Sequence, residues 1–195
     1  MADKKTLREK YRRLRSELPF AEAEAKSVGI CRAIAASEEF AAARTVHTFL
    51  PIARLREINT YPLLQALFAA GKTAVVSVSD FDRGTMPCYE ITPDTLLWEN
   101  GFGIPEPQGA GHLTPVDPAD IDLIVVPLLA YDSCGARVGY GKGFYDRFFR
   151  LCRPDAVKAG VSFFPPENRR IEGITPDDIP LDLCFTPQGK QTFHP

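Results

Sequence analysis

Residues 135–147 concentrate the residue types that bind anions. Gly135, Gly139, Gly141 and Gly143 are interleaved with the cations Arg137 and Lys142. Glycine lets backbone N–H groups approach an oxyanion with no Cβ in the way. The apolar run 122–127 just upstream reads as a buried strand, and 144–151 just downstream reads as a helix. A strand, a glycine-rich turn and a helix end, with its free N–H groups and positive dipole, make a site for phosphate. The run is neither of the common phosphate loops. Ala136 stands where the P-loop needs its first glycine, Gly143 where it needs Ser or Thr, and Phe144 breaks the G-x-G-x-x-G fingerprint.

Other candidate chemistry lies in carboxylates and in a basic helix. Asp146 follows the glycine-rich turn and is a hard oxygen donor of the kind Mg2+ takes together with phosphates and water. Asp177, Asp178 and Asp182 form an acidic cluster that by itself reads as a turn or a helix cap. Near the N-terminus, Leu7, Tyr11, Leu14 and Leu18 recur at helical spacing. At roughly 100° per residue they share one face, with Lys4, Arg8, Arg12 and Arg15 on the adjoining arc. On charge alone that arc is a solvated flank. No Ser-His-Asp or Cys-His set is visible. His47, His112 and His194 are far apart in sequence and lack metal-ligand spacing. Cys31, Cys88, Cys134, Cys152 and Cys184 are odd in number and contain no C-x-x-C pair, which predicts reduced thiols.

These residues must be positioned by a chain of 195 residues, enough for one domain with a real core. A net charge of −2 gives no global pull toward nucleic acid or anionic lipid. Helices are predicted over about 4–18, 21–36 and 59–70, the last ending at Gly71. Strands are predicted over about 45–50, 73–78, 86–91, 123–127, 156–162 and 183–186, with long irregular loops across 79–118. Alternating strands and helices imply an α/β fold: a single-domain three-layer sandwich over 1–195, with a mainly parallel, Rossmann-like central sheet. Ligands in such sheets bind beyond the carboxyl ends of the strands, where the glycine-rich run lies.

Residues 137–146, Arg-Val-Gly-Tyr-Gly-Lys-Gly-Phe-Tyr-Asp, closely resemble the signature of 5-formyltetrahydrofolate cyclo-ligases, also called 5,10-methenyltetrahydrofolate synthetases. The resemblance runs over nearly the whole chain. The family opens with Lys-x-x-Leu-Arg, matched here by Lys4, Lys5, Thr6, Leu7 and Arg8. It implies that this segment binds ATP together with Arg137, Val138, Gly139, Tyr140, Gly141, Lys142, Gly143, Phe144 and Tyr145. Lys142 and Arg137 are the implied catalytic cations, and Asp146 and Asp178 the implied Mg2+ ligands. The implied folate contacts are Leu50, Glu57, Phe102, Tyr140, Gly141, Lys142, Gly143 and Phe144. The chain departs from the pattern at Tyr140 and Phe144, which are Arg and Tyr in some relatives. It departs again near 162–166, which lacks a glutamine often found there. The resemblance implies ATP- and Mg2+-dependent conversion of 5-formyltetrahydrofolate to 5,10-methenyltetrahydrofolate, with a non-catalytic nucleotide- or folate-binding relative as the alternative. A cytoplasmic monomer with no nucleic-acid or membrane partner is expected.

Overall fold

The computed structural model describes residues 3–109 and 112–193; His194 lies outside them. Helix α1 (Lys4–Glu17) starts where the Asp3 side chain accepts the N–H groups of Lys5 and Thr6, each at 3.0 Å. Such a cap satisfies donors that have no partner within the helix. Helices α2 (Phe20–Ala35) and α4 (Tyr61–Ala69) match the periodicity expected of them. Between them lies α3 (Glu38–Ala42), capped by Ser37 and too short for periodicity to reveal.

Among the described residues the strands and the last α-helix are β1 (Thr45–His47), β2 (Thr73–Ser77), β3 (Cys88–Ile91), β4 (Leu97–Glu99), β5 (Pro105–Pro107), β6 (Pro115–Val116), β7 (Leu123–Pro127), β8 (Ala130–Tyr131), β9 (Arg137–Val138), α5 (Phe144–Phe149), β10 (Val157–Val161), β11 (Leu183–Thr186) and β12 (Gly189–Thr192). Eight strands form one sheet in the order β12-β11-β10-β7-β1-β2-β3-β6. The five from β11 to β2 pair in parallel; β12, β3 and β6 add antiparallel edges.

Strand β7 shows why the central run is apolar throughout. Leu123 and Val125 face one core with α2, α3 and α4, while Ile124 and Val126 face the other with Phe148 and Phe149 of α5. A strand covered on both faces has no solvent side, so the period-2 alternation disappears. The sheet thus lies between two helical layers, as expected.

In the parallel core the first two strands run outward as β1-β2 and the later three run the other way as β7-β10-β11. This is the flavodoxin-like doubly wound order, and its crevice lies at the switch point between β1 and β7.

The region after β7 differs from the single long turn expected. Ala130 pairs with Val138 and Tyr131 with Arg137, forming a hairpin against which Leu7 and Tyr11 of α1 pack. Gly135 belongs to that hairpin: its φ is +80°, and a Cβ there would lie 2.7 Å from the Leu181 carbonyl oxygen. Only residues 139–143 form the loop into α5. The expected irregular stretch 79–118 likewise contains the β4–β5 hairpin, whose prolines and three-residue strands carried no strand signal.

Candidate active site

A cleft of about 620 Å³ opens at the switch point. It collects Lys4, Arg8, Leu50, Glu57, Phe102, Arg137, Gly139, Tyr140, Gly141, Lys142, Gly143, Phe144, Tyr145, Asp146 and Asp178 on its lining. Lys5, Thr6, Leu7 and Val138 do not line it. Leu7 and Val138 are buried in the core, Lys5 is exposed, and Thr6 donates its hydroxyl to Asp3.

One wall is the loop 139–143. Among the described residues, the backbone N–H groups of this loop donate to no protein acceptor. Arg8 reaches across from α1: its Nε donates to the Gly139 carbonyl at 3.0 Å, and its guanidinium lies on Gly141. Gly141 has φ +92°, and a Cβ there would come within 3.2 Å of Arg8 Cζ, so a side chain would strain the loop and displace the cation. Lys142 is exposed, and among the described residues its Nζ meets no carboxylate. Arg147 braces the loop, its Nε donating to the Gly84 carbonyl at 2.8 Å and its Nη2 to the Lys142 carbonyl at 2.9 Å. Helix α5 has only six residues, so its dipole adds little; free N–H groups and full charges define this wall.

The two carboxylates differ. Asp178 accepts Lys4 Nζ on both oxygens, at 2.7 and 2.6 Å, and also the Thr175 N–H at 2.7 Å. Burial pushes its carboxyl upward, but hydrogen bonds from Lys4 and Thr175 outweigh it and hold the group below its ordinary range. Asp146 accepts Arg137 Nη2 at 2.8 Å and the Ile179 N–H at 3.1 Å, both on Oδ1. Asp146 lines the cleft, and among the described residues its Oδ2 accepts from no protein donor. Among the described residues no group of three His, Cys, Asp or Glu side chains could hold a metal unaided. One free carboxylate oxygen beside an anion site does suit Mg2+, which takes most of its ligands from phosphate and water. The doubly bonded Asp178 suits it less. Arg137 is itself only 8% exposed and committed to Asp146, with its guanidinium over the Phe149 ring.

The opposite wall holds Glu57. Its Oε1 accepts the Tyr140 hydroxyl at 2.6 Å and its Oε2 the Ile52 N–H at 2.8 Å. Burial pushes the Glu57 carboxyl upward; the bonds from Ile52 and Tyr140 and the charges of Arg15 and Arg54 pull it back without cancelling the shift. Leu50, buried just beyond β1, adds apolar lining. At the mouth, Phe81 meets Phe102 with ring centroids 5.0 Å apart and Phe144 at 5.4 Å. Phe102 is 63% exposed, so it borders the opening and is no core residue.

Sequence reasoning missed His47, Ser77 and Phe81 as lining residues. His47 Nε2 and Ser77 Oγ lie 2.7 Å apart, and burial pushes the imidazole down to about 3, so it is neutral. The signal was available: His47 ends β1, the position from which a parallel strand points residues at the crevice. Phe81 sits in a turn and carried no such signal.

Comparison with known proteins gives one consistent result. The model of the 5-formyltetrahydrofolate cyclo-ligase family matches residues 1–163. The chain is 35% identical to the 5-formyltetrahydrofolate cyclo-ligase of Escherichia coli strain K12 over 149 residues, covering 74% of this chain and 79% of that one. It is 29% identical to a probable 5-formyltetrahydrofolate cyclo-ligase of Schizosaccharomyces pombe over 177 residues, covering 85% of each. The solution structure of the Aquifex aeolicus 5,10-methenyltetrahydrofolate synthetase superposes with a TM-score of 0.78 at 27% identity, over 98% of this chain and 93% of that one. No helix among the described residues is long and apolar enough to cross a membrane.

Proposed function

The chain belongs to the 5-formyltetrahydrofolate cyclo-ligase family, and from that premise we propose that its cleft binds ATP and 5-formyltetrahydrofolate side by side and forms 5,10-methenyltetrahydrofolate, ADP and phosphate. The observation that carries this reading is the loop 139–143, whose N–H groups have no protein acceptor among the described residues and lie beside Arg8 and Lys142. Such a surface is stable with water and better matched by a polyphosphate.

In the proposed reaction the formyl oxygen attacks the γ-phosphorus of ATP, and the bond from that phosphorus to the bridging oxygen breaks to release ADP. N10 then attacks the activated formyl carbon. The C–O bond breaks, phosphate leaves with its electron pair, and N10 loses its proton. A formyl oxygen is a poor leaving group until phosphorylated, so the first step makes the second possible. Phosphoryl transfer needs positioned cations more than covalent help. Lys142 and Arg8 would supply charge at the phosphates, and Lys4 would join them from its pair with Asp178. Arg137 would act mainly by holding Asp146. Asp146 would hold Mg2+, whose chemistry is to neutralise and orient the phosphate oxygens. Glu57, with both oxygens accepting, suits the amino and ring N–H groups of a pterin, and Leu50 and Phe102 suit its faces. The free cysteines suit a reducing cytoplasm, and the cleft needs residues of one chain only.

The test is turnover. Purified protein with 5-formyltetrahydrofolate and MgATP should form the methenyl product, followed by its near-ultraviolet absorbance. Omitting ATP or adding a strong chelator should abolish it. Product formed without ATP would overturn the reading, and product formed in the chelator would remove the metal from it.

A further inference from the structure

Arg15 stood among the cations expected on a solvated helix flank, yet it is only 6% exposed. Its Nη2 donates to the Leu128 carbonyl just past β7 at 2.8 Å, and its Nη1 donates to the Tyr140 hydroxyl at 2.8 Å. We infer that Arg15 is a positioning residue for substrate recognition, fixing Glu57 through the Tyr140 hydroxyl as a carboxylate that accepts on both oxygens. The inference rests on the reading of Glu57 as the residue that meets the folate ring.

The chemistry of the donors makes the chain directional. A guanidinium has N–H donors and no acceptor, so it can only occupy a lone pair of the tyrosine oxygen. The single hydroxyl proton must then go elsewhere, and Glu57 Oε1 is 2.6 Å away. Burial and the nearby Glu57 raise the Tyr140 hydroxyl above its ordinary range, so it remains a donor. With Ile52 N–H on Oε2, each carboxylate oxygen holds one bond from the protein and keeps lone pairs for a ligand. A protonated Glu57 would turn one of these acceptors into a donor and misread a paired amino and ring N–H edge.

Further ionisable groups near Glu57 are Arg54 from its own loop and Tyr145 from α5, and Arg12 of α1 lies over the Tyr140 ring. Behind the network a cavity of about 10 Å³, bordered by Arg15, Glu57, Leu128 and Ser162, has room for about one water. The charge of Arg15 favours the ionised form of Glu57 and opposes the effect of burial. Two of the departures from the family pattern, Tyr140 and the segment beginning at Ser162, touch this network, while Phe144 packs on Phe81 at the mouth.

The experiment compares the whole chain with its Tyr140→Phe, Arg15→Met and Glu57→Gln variants in steady-state turnover. Tyr140→Phe removes only the hydroxyl. It should raise KM for 5-formyltetrahydrofolate about tenfold and leave KM for ATP unchanged, the scale of one lost bond to a charged group. Arg15→Met removes the cation, and the acid limb of kcat/KM for the folate should move about one pH unit upward, because Glu57 then protonates more readily. A role confined to folding would move neither quantity. If Arg15→Met does not fold, Tyr140→Phe decides: an unchanged folate KM and acid limb overturn the inference. If Glu57→Gln weakens folate use while Tyr140→Phe does not, this inference alone fails. If Glu57→Gln changes nothing, the reading of Glu57 fails and takes the inference with it.

Discussion

On the 139–143 wall of the cleft the backbone N–H groups have no protein acceptor among the described residues, whereas on the Glu57 wall both carboxylate oxygens are already bonded within the protein. The first wall is exposed, so water satisfies its N–H groups until an anion displaces it. The second is deep, where an unpaired carboxylate would be costly, so its partners are built in. A triphosphate is flexible and multiply charged and can be met by mobile cations. A ring edge has fixed donors and requires fixed acceptors. Tyr140 belongs to both regions: its backbone lies in the loop and its hydroxyl in the Glu57 network.

Substitutions on each wall should therefore move different quantities. Lys142→Ala is expected to have the largest effect, about 3 kcal/mol of lost transition-state stabilisation, or about a hundredfold in kcat. Its melting temperature should stay near that of the parent, since the side chain is exposed. Normal turnover would make Lys142 a loop cation without a role. Glu57→Gln should cost about 2 kcal/mol, read as a rise of about thirtyfold in folate KM, because one oxygen is replaced by a donor facing the wrong groups. A folate KM within a factor of two of the parent would sever Glu57 from the substrate.

Asp146→Asn tests whether the free oxygen matters. Asn keeps an acceptor for Arg137 but loses the charge, so the magnesium needed for half-maximal rate should rise on the order of tenfold. An unchanged magnesium dependence would leave Asp146 as the partner of Arg137 and nothing more. The smallest effect belongs to Lys4→Ala combined with Arg8→Ala. ATP KM should rise about fivefold while folate KM holds, because charge-assisted contacts to phosphate are lost. Stability should fall by no more than about 1 kcal/mol, as the Lys4–Asp178 pair is partly exposed. A large loss of stability with normal ATP kinetics would make the helix a structural element only.

The fold was legible where the sequence carries long periodic or wholly apolar segments, as in α1, α2 and β7. The β8–β9 hairpin was not, because its two-residue strands are shorter than any repeating pattern. Its turn glycine, Gly135, was read with the anion loop because nothing in the sequence separates a glycine that packs against a carbonyl from one that faces a ligand. The phosphate wall was legible because its chemistry lies in consecutive residues. The Glu57 wall was legible only through resemblance. Arg15, Tyr140 and Glu57 come from three distant segments, and only the fold brings them within hydrogen-bonding distance. For the same reason the sequence groups Arg15 with Lys4, Arg8 and Arg12, although its position on α1 turns it toward Leu128.

The central claim is that one cleft presents two walls, each answering to its own substrate. Initial rates measured over a grid of both substrate concentrations, for the parent, Arg8→Ala and Glu57→Gln, test it most directly. The account predicts that Arg8→Ala raises only the ATP KM and Glu57→Gln only the folate KM. Equal movement of both constants by either variant would contradict it.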